Sequence, residues 1–294
     1  MILEYNYFAD KLNNRLFEGS SADLLDKIVK NPDRYIGLFR PTKPKTKLIQ
    51  NITQSHEIKF GDALEEIFKK YFEKLGYEIL DEKLSSSETK DEKAYDIDQL
   101  IKKDNEIILI EQKVRDDHDS TKKVGQFQNF ETKYYEVSRK YVGTKITPIM
   151  WFIDNSLQKN KRFYSNEMDK MSKLYDCEPK LCYGDELFYP ENSNIPMEMW
   201  NEILEYLKVW HETLPDLPEV NFDVNCDNVF EEIKDLTPSI YRKLFENEEL
   251  ERQILPILSP ECKILEKLKV YFLEKGDMVH IKLAEMIDDY TNNK

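Results

Sequence analysis

The stretch that most constrains this chain is residues 94–115, AYDIDQLIKKDNEIILIEQKVR. Two β-prone runs, AYDIDQLIKK and EIILIEQKVR, flank Asp104-Asn105, a dipeptide that tolerates the positive φ angles of a tight two-residue turn. With 104 and 105 as the loop, 103 pairs with 106, so Asp98 lies opposite Glu111 and Asp96 opposite Lys113. Side chains alternate along a strand, so Asp96, Asp98, Glu111 and Lys113 project from one face. A four-residue loop at 102–105 pairs 101 with 106 instead, and Asp96 then faces Glu111. Ile107 to Ile110 form an apolar run, so Glu111 and Lys113 emerge at the end of a buried strand, where bare charges need a reason.

Three carboxylates beside one ammonium suit a hard divalent cation such as Mg²⁺, which takes one or two carboxylates and completes its shell with water and phosphate. A neighbouring lysine can orient or help deprotonate an attacking water and offset charge developing on phosphorus, which points to phosphodiester chemistry. The plainer alternative is a solvated strand pair with cross-strand ion pairing. Glu-x-Lys is common in any chain that is 34% charged.

Asp98, followed thirteen positions later by Glu111-Gln112-Lys113, resembles the PD-(D/E)xK nuclease superfamily. Its surroundings, roughly residues 56–190, look like a bacterial type II restriction endonuclease. Ile97 stands where that pattern often has proline, which leaves Asp96 and Asp98 competing for the metal, with Asp98 favoured on spacing. The resemblance implies an α/β fold, a restriction-endonuclease-like core with a mixed central sheet flanked by helices. It also implies Mg²⁺-dependent cleavage of double-stranded DNA by a homodimer, within a restriction-modification system that includes a DNA methyltransferase. Asp98 and Glu111 would hold metal, Lys113 would position the water, and Asp96 would assist. The first core helix of the family often contributes a glutamate, matched best by Glu65, although Glu66 is equally far from the apolar stripe and either reads equally well as solvated. Gln126 falls where related nucleases often place a glutamine near the site.

In chain order, residues 3–30 read as helices. Residues 34–59 carry six basic residues against one acid, and Pro41 and Pro44 argue for an extended basic arm in which Arg40, Lys43, Lys45 and Lys47 contact DNA, or for a solubilising loop. FGDALEEIFKKYFEKLGY is an amphipathic helix closed by Gly76, YEIL at 77–80 a strand, and residues 81–93 a polar loop. Ser120 or Thr121 can cap a helix carrying Val124, Phe127, Phe130, Tyr134, Val137 and Tyr141, with Lys122 and Lys123 in its first turn suited to a phosphate. Asp116, Asp117, His118 and Asp119 read as a capping loop, or alternatively as a second metal site or general base. KITPIMWFID is a central strand, NEMDKMSKLY a helix, PKLCYGDELF a strand and MEMWNEILEYLKVWHETL a helix. This order is that of an α/β sandwich. Three segments follow: 1–55, N-terminal helices and basic arm; 56–214, nuclease core; and 215–294, a helical region for dimerisation or bracing. From 221 onward sixteen acids face ten bases, so a groove-facing role there is doubtful.

The formal net charge of −14 opposes a global affinity for nucleic acid and shifts the question to a local basic stripe. Cys177, Cys182, Cys226 and Cys262 show no C-x-x-C pairing and the histidines do not cluster with them, so zinc is not expected. No apolar stretch approaches bilayer length and the first residues lack a leader pattern, which places the chain in the cytoplasm. Two further functions fit the same residues: a structure-specific or repair endonuclease on this fold, and a catalytically inactive DNA-binding or scaffold protein.

Overall fold

The computed structural model describes residues 1–85, 94–114 and 120–293. In chain order the elements are α1 (Tyr5–Phe17), α2 (Ser20–Lys30), α3 (Pro44–Lys74), β1 (Glu78–Ile79), β2 (Lys83–Ser85), β3 (Ala94–Asp96), β4 (Gln99–Lys103), β5 (Glu106–Lys113), α4 (Ser120–Lys140), β6 (Lys145–Phe152), α5 (Lys161–Tyr175), β7 (Lys180–Tyr183) and α6 (Met197–His211). The helices α7 (Cys226–Ile233), α8 (Pro238–Glu246), α9 (Glu248–Gln253), α10 (Leu255–Leu258), α11 (Lys263–Lys275) and α12 (Met278–Asn293) follow.

The hairpin sits in the middle of the main sheet, whose order is β1-β4-β5-β6-β7. Asp104 takes a positive φ of 54°, and Lys103 pairs with Glu106, with the ladder continuing in step to Gln99 and Ile110. This is the two-residue turn; the four-residue alternative does not form. β5 then runs parallel to β6 and β6 parallel to β7, while β1, β4 and β5 are antiparallel, so the sheet is mixed as expected.

Alternation along the strands assigns a helical layer to each face. Ile107 and Leu109 share a core with Phe127, Phe130 and Val137 of α4, and Phe152 meets Tyr164 of α5 at 5.1 Å between ring centroids. One residue earlier, Trp151 points the other way, 4.9 Å from Phe68 of α3 and 5.9 Å from Trp200 of α6. Each such fully buried side chain contributes about 1.5–3 kcal/mol through removal of apolar surface from water.

Two expectations are corrected. AYDIDQLIKK is not one strand: β3 ends at Asp96, β4 begins at Gln99, and β3 pairs with β2, Lys83 opposite Asp96. The cause is Ile97. Both Ile97 and Leu100 reach the α4-side core, and residues three apart cannot share a face of one regular strand, so the alternation breaks between them. The second correction concerns the basic segment, which is not extended throughout. Pro44 is the first residue of α3, a position that needs no N–H and for which the ring already sets φ. Lys45 and Lys47 therefore lie at the start of a helix.

The chain divides into two compact units, residues 1–12 with 61–213 and residues 13–60 with 214–294. The first contains the sheet. In the second, Leu24, Leu25, Ile28 and Leu48 share a helical core with Val220, Leu244, Leu265 and Ile287, so most of the N-terminal segment packs with the C-terminal helices.

Candidate active site

Where β5 ends, its α4-facing positions change from apolar to charged, and four groups meet. Glu111 is 3% exposed in its side chain, yet both carboxylate oxygens are paired: Oε1 with Lys113 Nζ at 2.7 Å and Oε2 with Lys133 Nζ at 2.6 Å. Asp98 lies at the break before β4. Its Oδ2 accepts from the Gln112 backbone N–H at 2.7 Å and from Lys113 Nζ at 3.3 Å, and its Oδ1 is 3.7 Å from Lys133 Nζ. Two carboxylates thus alternate with two ammonium groups in a pocket of low exposure, a net charge of zero where any single member left alone would carry a large desolvation cost.

Burial works to raise the pKa of both carboxyls. For Glu111 the adjoining Lys113 and Lys133 overcome it and hold the group below the usual glutamate value. Asp98 is displaced upward, by burial and then by the Glu111 charge, because its own lysine contacts are longer. Lys113 is held charged: burial opposes the ammonium form, but Glu111 and Asp98 together push its pKa well above normal.

Lys133 escaped the sequence reading although a signal was present. On α4 it lies three residues after Phe130 and four before Val137, inside the stripe that also holds Phe127 and Tyr134. A lysine in the middle of an apolar stripe is a buried charge, and a buried charge demands a partner. The expectation that Asp96 faces Lys113 is corrected: Asp96 is exposed on β3, carried away by the break at Ile97. Of the two glutamates on α3, Glu66 is exposed and pairs with Lys11 at 3.1 Å. Glu65 is the one that feels the cluster, its carboxyl pushed up to about 8 by burial first and then by the charge of Asp98, against the pull of Lys113.

Gln126 accepts from the Tyr164 hydroxyl at 2.6 Å. Lys122 and Lys123 fall in the first turn of α4, which carries no acid; Lys123 donates to Asn160 Oδ1 at 3.2 Å and lies 4.9 Å over the Phe163 ring. Arg115 to Asp119, with the cluster around His118, lie outside the described residues, as do residues 86–93. The cysteines are free. Among the described residues no group of three or more His, Cys, Asp and Glu side chains is placed to hold a metal ion. A site of two carboxylates still fits Mg²⁺, whose shell ordinarily includes waters and substrate phosphate, and Asp98 and Glu111 are the two that share this pocket.

A mixed five-stranded sheet between helices, with acids and lysine at the end of a central strand, is a restriction-endonuclease-like nuclease fold. A family model described as type II restriction endonuclease, HinfI, matches residues 4–87 and 74–210. The chain belongs to the HinfI family of type II restriction endonucleases. Among curated proteins none matches the chain. No helix among the described residues is long and apolar enough to cross a membrane.

Two outcomes follow from the electrostatics. Lys133→Met leaves Glu111 with one cation and should lower unfolding free energy by about 3–5 kcal/mol, the usual cost of breaking a buried pair, with part of the loss recovered by adding Glu111→Gln. A loss below about 1 kcal/mol in urea unfolding would show that the pair is not held as described. For Glu65, a carboxyl near 4.5 when unfolded and about 8 when folded keeps a proton in the native state that unfolding releases. Its contribution is therefore complete at low pH and is lost as pH rises through that window. In metal-free buffer, Glu65→Gln should gain stability relative to wild type between pH 5 and pH 8; a constant difference would contradict the burial of this carboxyl.

Proposed function

We propose that this chain is a Mg²⁺-dependent, site-specific endodeoxyribonuclease that cuts double-stranded DNA as a homodimer, in the cytoplasm, alongside a DNA methyltransferase that protects the same sequence. The observation that carries this reading is the pairing of Glu111 and Lys113 with Asp98 in a nearly dry pocket at the end of β5, within a chain of the HinfI family. Asp98 and Glu111 are the residues that would hold Mg²⁺. When bound, the ion would supply a more acidic water and offset charge on the phosphate.

The rest is the work of the chain's own groups. Lys113, held charged, presents an ammonium at which a water is oriented and negative charge on the phosphoryl oxygens is stabilised. Lys133 keeps Glu111 ionised inside the protein, so the carboxylate is ready without prior proton loss. Glu65, at the edge of the cluster, is a further acid that can enter the site. Gln126, fixed by Tyr164, supports it from α4. Asp96, exposed on β3, assists at most from outside the pocket. Two copies of the chain match the two-fold symmetry of a palindromic site.

Digesting a plasmid of mixed sequence with Mg²⁺ and sequencing the ends tests the function. Discrete bands with one common end sequence are expected; a smear, or cutting only at branched structures, would favour a repair nuclease, and no cutting a binding protein. Lys113→Ala should lower cleavage roughly 10²-fold to 10³-fold with DNA binding kept, and activity within about threefold of wild type would remove Lys113 from the chemistry. Calorimetric titration of Ca²⁺ into each variant with its DNA separates the aspartates: Asp98→Asn should lose the ion and Asp96→Asn keep it, and the reverse would reassign the first ligand.

A further inference from the structure

Residues 37–40 form a turn of unusual composition. The Arg40 N–H donates to the Gly37 carbonyl at 3.2 Å, and Gly37 adopts a φ of 128°. The two central residues are therefore Leu38 and Phe39, where turns ordinarily select Gly, Pro, Asn, Asp or Ser. Leu38 is 100% exposed and Phe39 97%, and Phe39 is the only phenylalanine among the exposed large hydrophobic residues described. Scattered exposed apolar side chains are ordinary, but an adjacent aliphatic-aromatic pair projected from a turn is not. The turn is also anchored, since Arg40 Nε donates to the Asp33 carbonyl at 2.7 Å, and Pro41 follows directly.

The cations of this segment have no carboxylate partners. Arg34, Arg40, Lys43, Lys45 and Lys47 make no ion pair with any carboxylate among the described residues. Arg34 and Lys47 meet only the amides of Gln54 and Gln50. In a chain with 57 acids and 43 lysines and arginines, five such cations between residues 34 and 47 are a local basic run, and two of them, Arg40 and Lys43, line a groove with Leu38. Lys45 and Lys47 also lie at the N-terminal end of α3, whose first turn has no acid. The helix dipole disfavours cations there, and an external anion removes that penalty. The acids bordering the groove beside the turn are Asp33 and Glu249, and Glu249 is already bound by Arg252 at 2.7 Å.

We infer that the Leu38-Phe39 turn is a wedge that inserts into a base step of duplex DNA while the surrounding cations bind the flanking phosphates. Polyanion and exposed base faces are the two chemistries this surface lacks, and duplex DNA offers both when a step is unstacked by an apolar side chain. The inference rests on the nuclease reading only for its partner, and it assigns to the helical unit a contact that the cluster on β5 does not make.

The test uses full-length protein in Ca²⁺ with a duplex carrying the sequence found at the plasmid ends and 2-aminopurine placed in turn at each step in and beside that site. The double variant Leu38→Ser, Phe39→Ser suits a turn and removes side chains that touch no core, so folding is retained. Wild type should raise 2-aminopurine fluorescence at one step. The double variant should lose that signal and bind roughly tenfold or more weakly, with the salt dependence unchanged. By contrast, Lys43→Gln, Lys45→Gln, Lys47→Gln should flatten the salt dependence by about 0.9 per lost phosphate contact and keep the fluorescence change. Wild-type affinity and fluorescence in the double variant would overturn the wedge and leave the nuclease reading intact. A double variant that sediments as monomer where wild type is dimeric, with affinity per dimer unchanged, would overturn it in favour of a second copy of this chain. With cleavage established by those ends, wild type bound without a rise in 2-aminopurine fluorescence at any step would likewise overturn the wedge and leave the nuclease reading intact.

Discussion

Two lysines facing two acids at the end of one strand set the terms for the sheet-containing unit. Glu111 cannot be buried as a lone anion, nor Lys133 as a lone cation, so the positions of β5 and α4 depend on each other through the 2.6 Å contact between them. Lys113 and Asp98 extend the constraint to the hairpin, because Asp98 is held by the backbone N–H of Gln112 on the neighbouring strand. A hydrophobic substitute could fill the same space at no loss of stability. What it could not do is hold two carboxyl groups close together and largely shielded from water, with Glu111 kept ionised by its lysines, an arrangement suited to a hard cation next to a phosphate.

The register of this cluster was legible in the sequence because a two-residue turn allows only one pairing, and Asp104-Asn105 is such a turn. The mixed sheet flanked by helices followed from the alternation of apolar strands and amphipathic helices. What the sequence concealed has identifiable causes. The break at Ile97 depends on Ile97 and Leu100 competing for one core, a tertiary effect that period counting within the run does not detect, and it moved Asp96 from the expected site to an exposed strand. Lys133 was hidden for a different reason: a search along β-strands for charges ignores the helix packed over them. Pro44 was read as a breaker when its location at the start of α3 makes it a starter.

Charge explains how so acidic a chain can belong to a DNA-cutting family. Many surface lysines are tied to carboxylates, as in Lys69 with Glu82 and Lys267 with Asp227, and contribute little to an external field. The segment from Arg34 to Lys47 gathers five cations with no carboxylate partner among the described residues. They flank an apolar turn in sequence, and Arg40 and Lys43 line a groove with Leu38, so attraction to a polyanion is local in a chain that is acidic as a whole. Such a distribution favours binding that is sensitive to salt and release that is fast away from the target.

The most direct test of the catalytic assignment is an anomalous-difference map from crystals of the protein with its duplex and Mn²⁺, collected near the manganese edge. We expect a peak between the carboxylates of Asp98 and Glu111, with Lys113 beside it and Asp96 outside its reach. A peak at Asp96, or a loaded complex with no density between Asp98 and Glu111, would contradict the assignment of this cluster as the active centre.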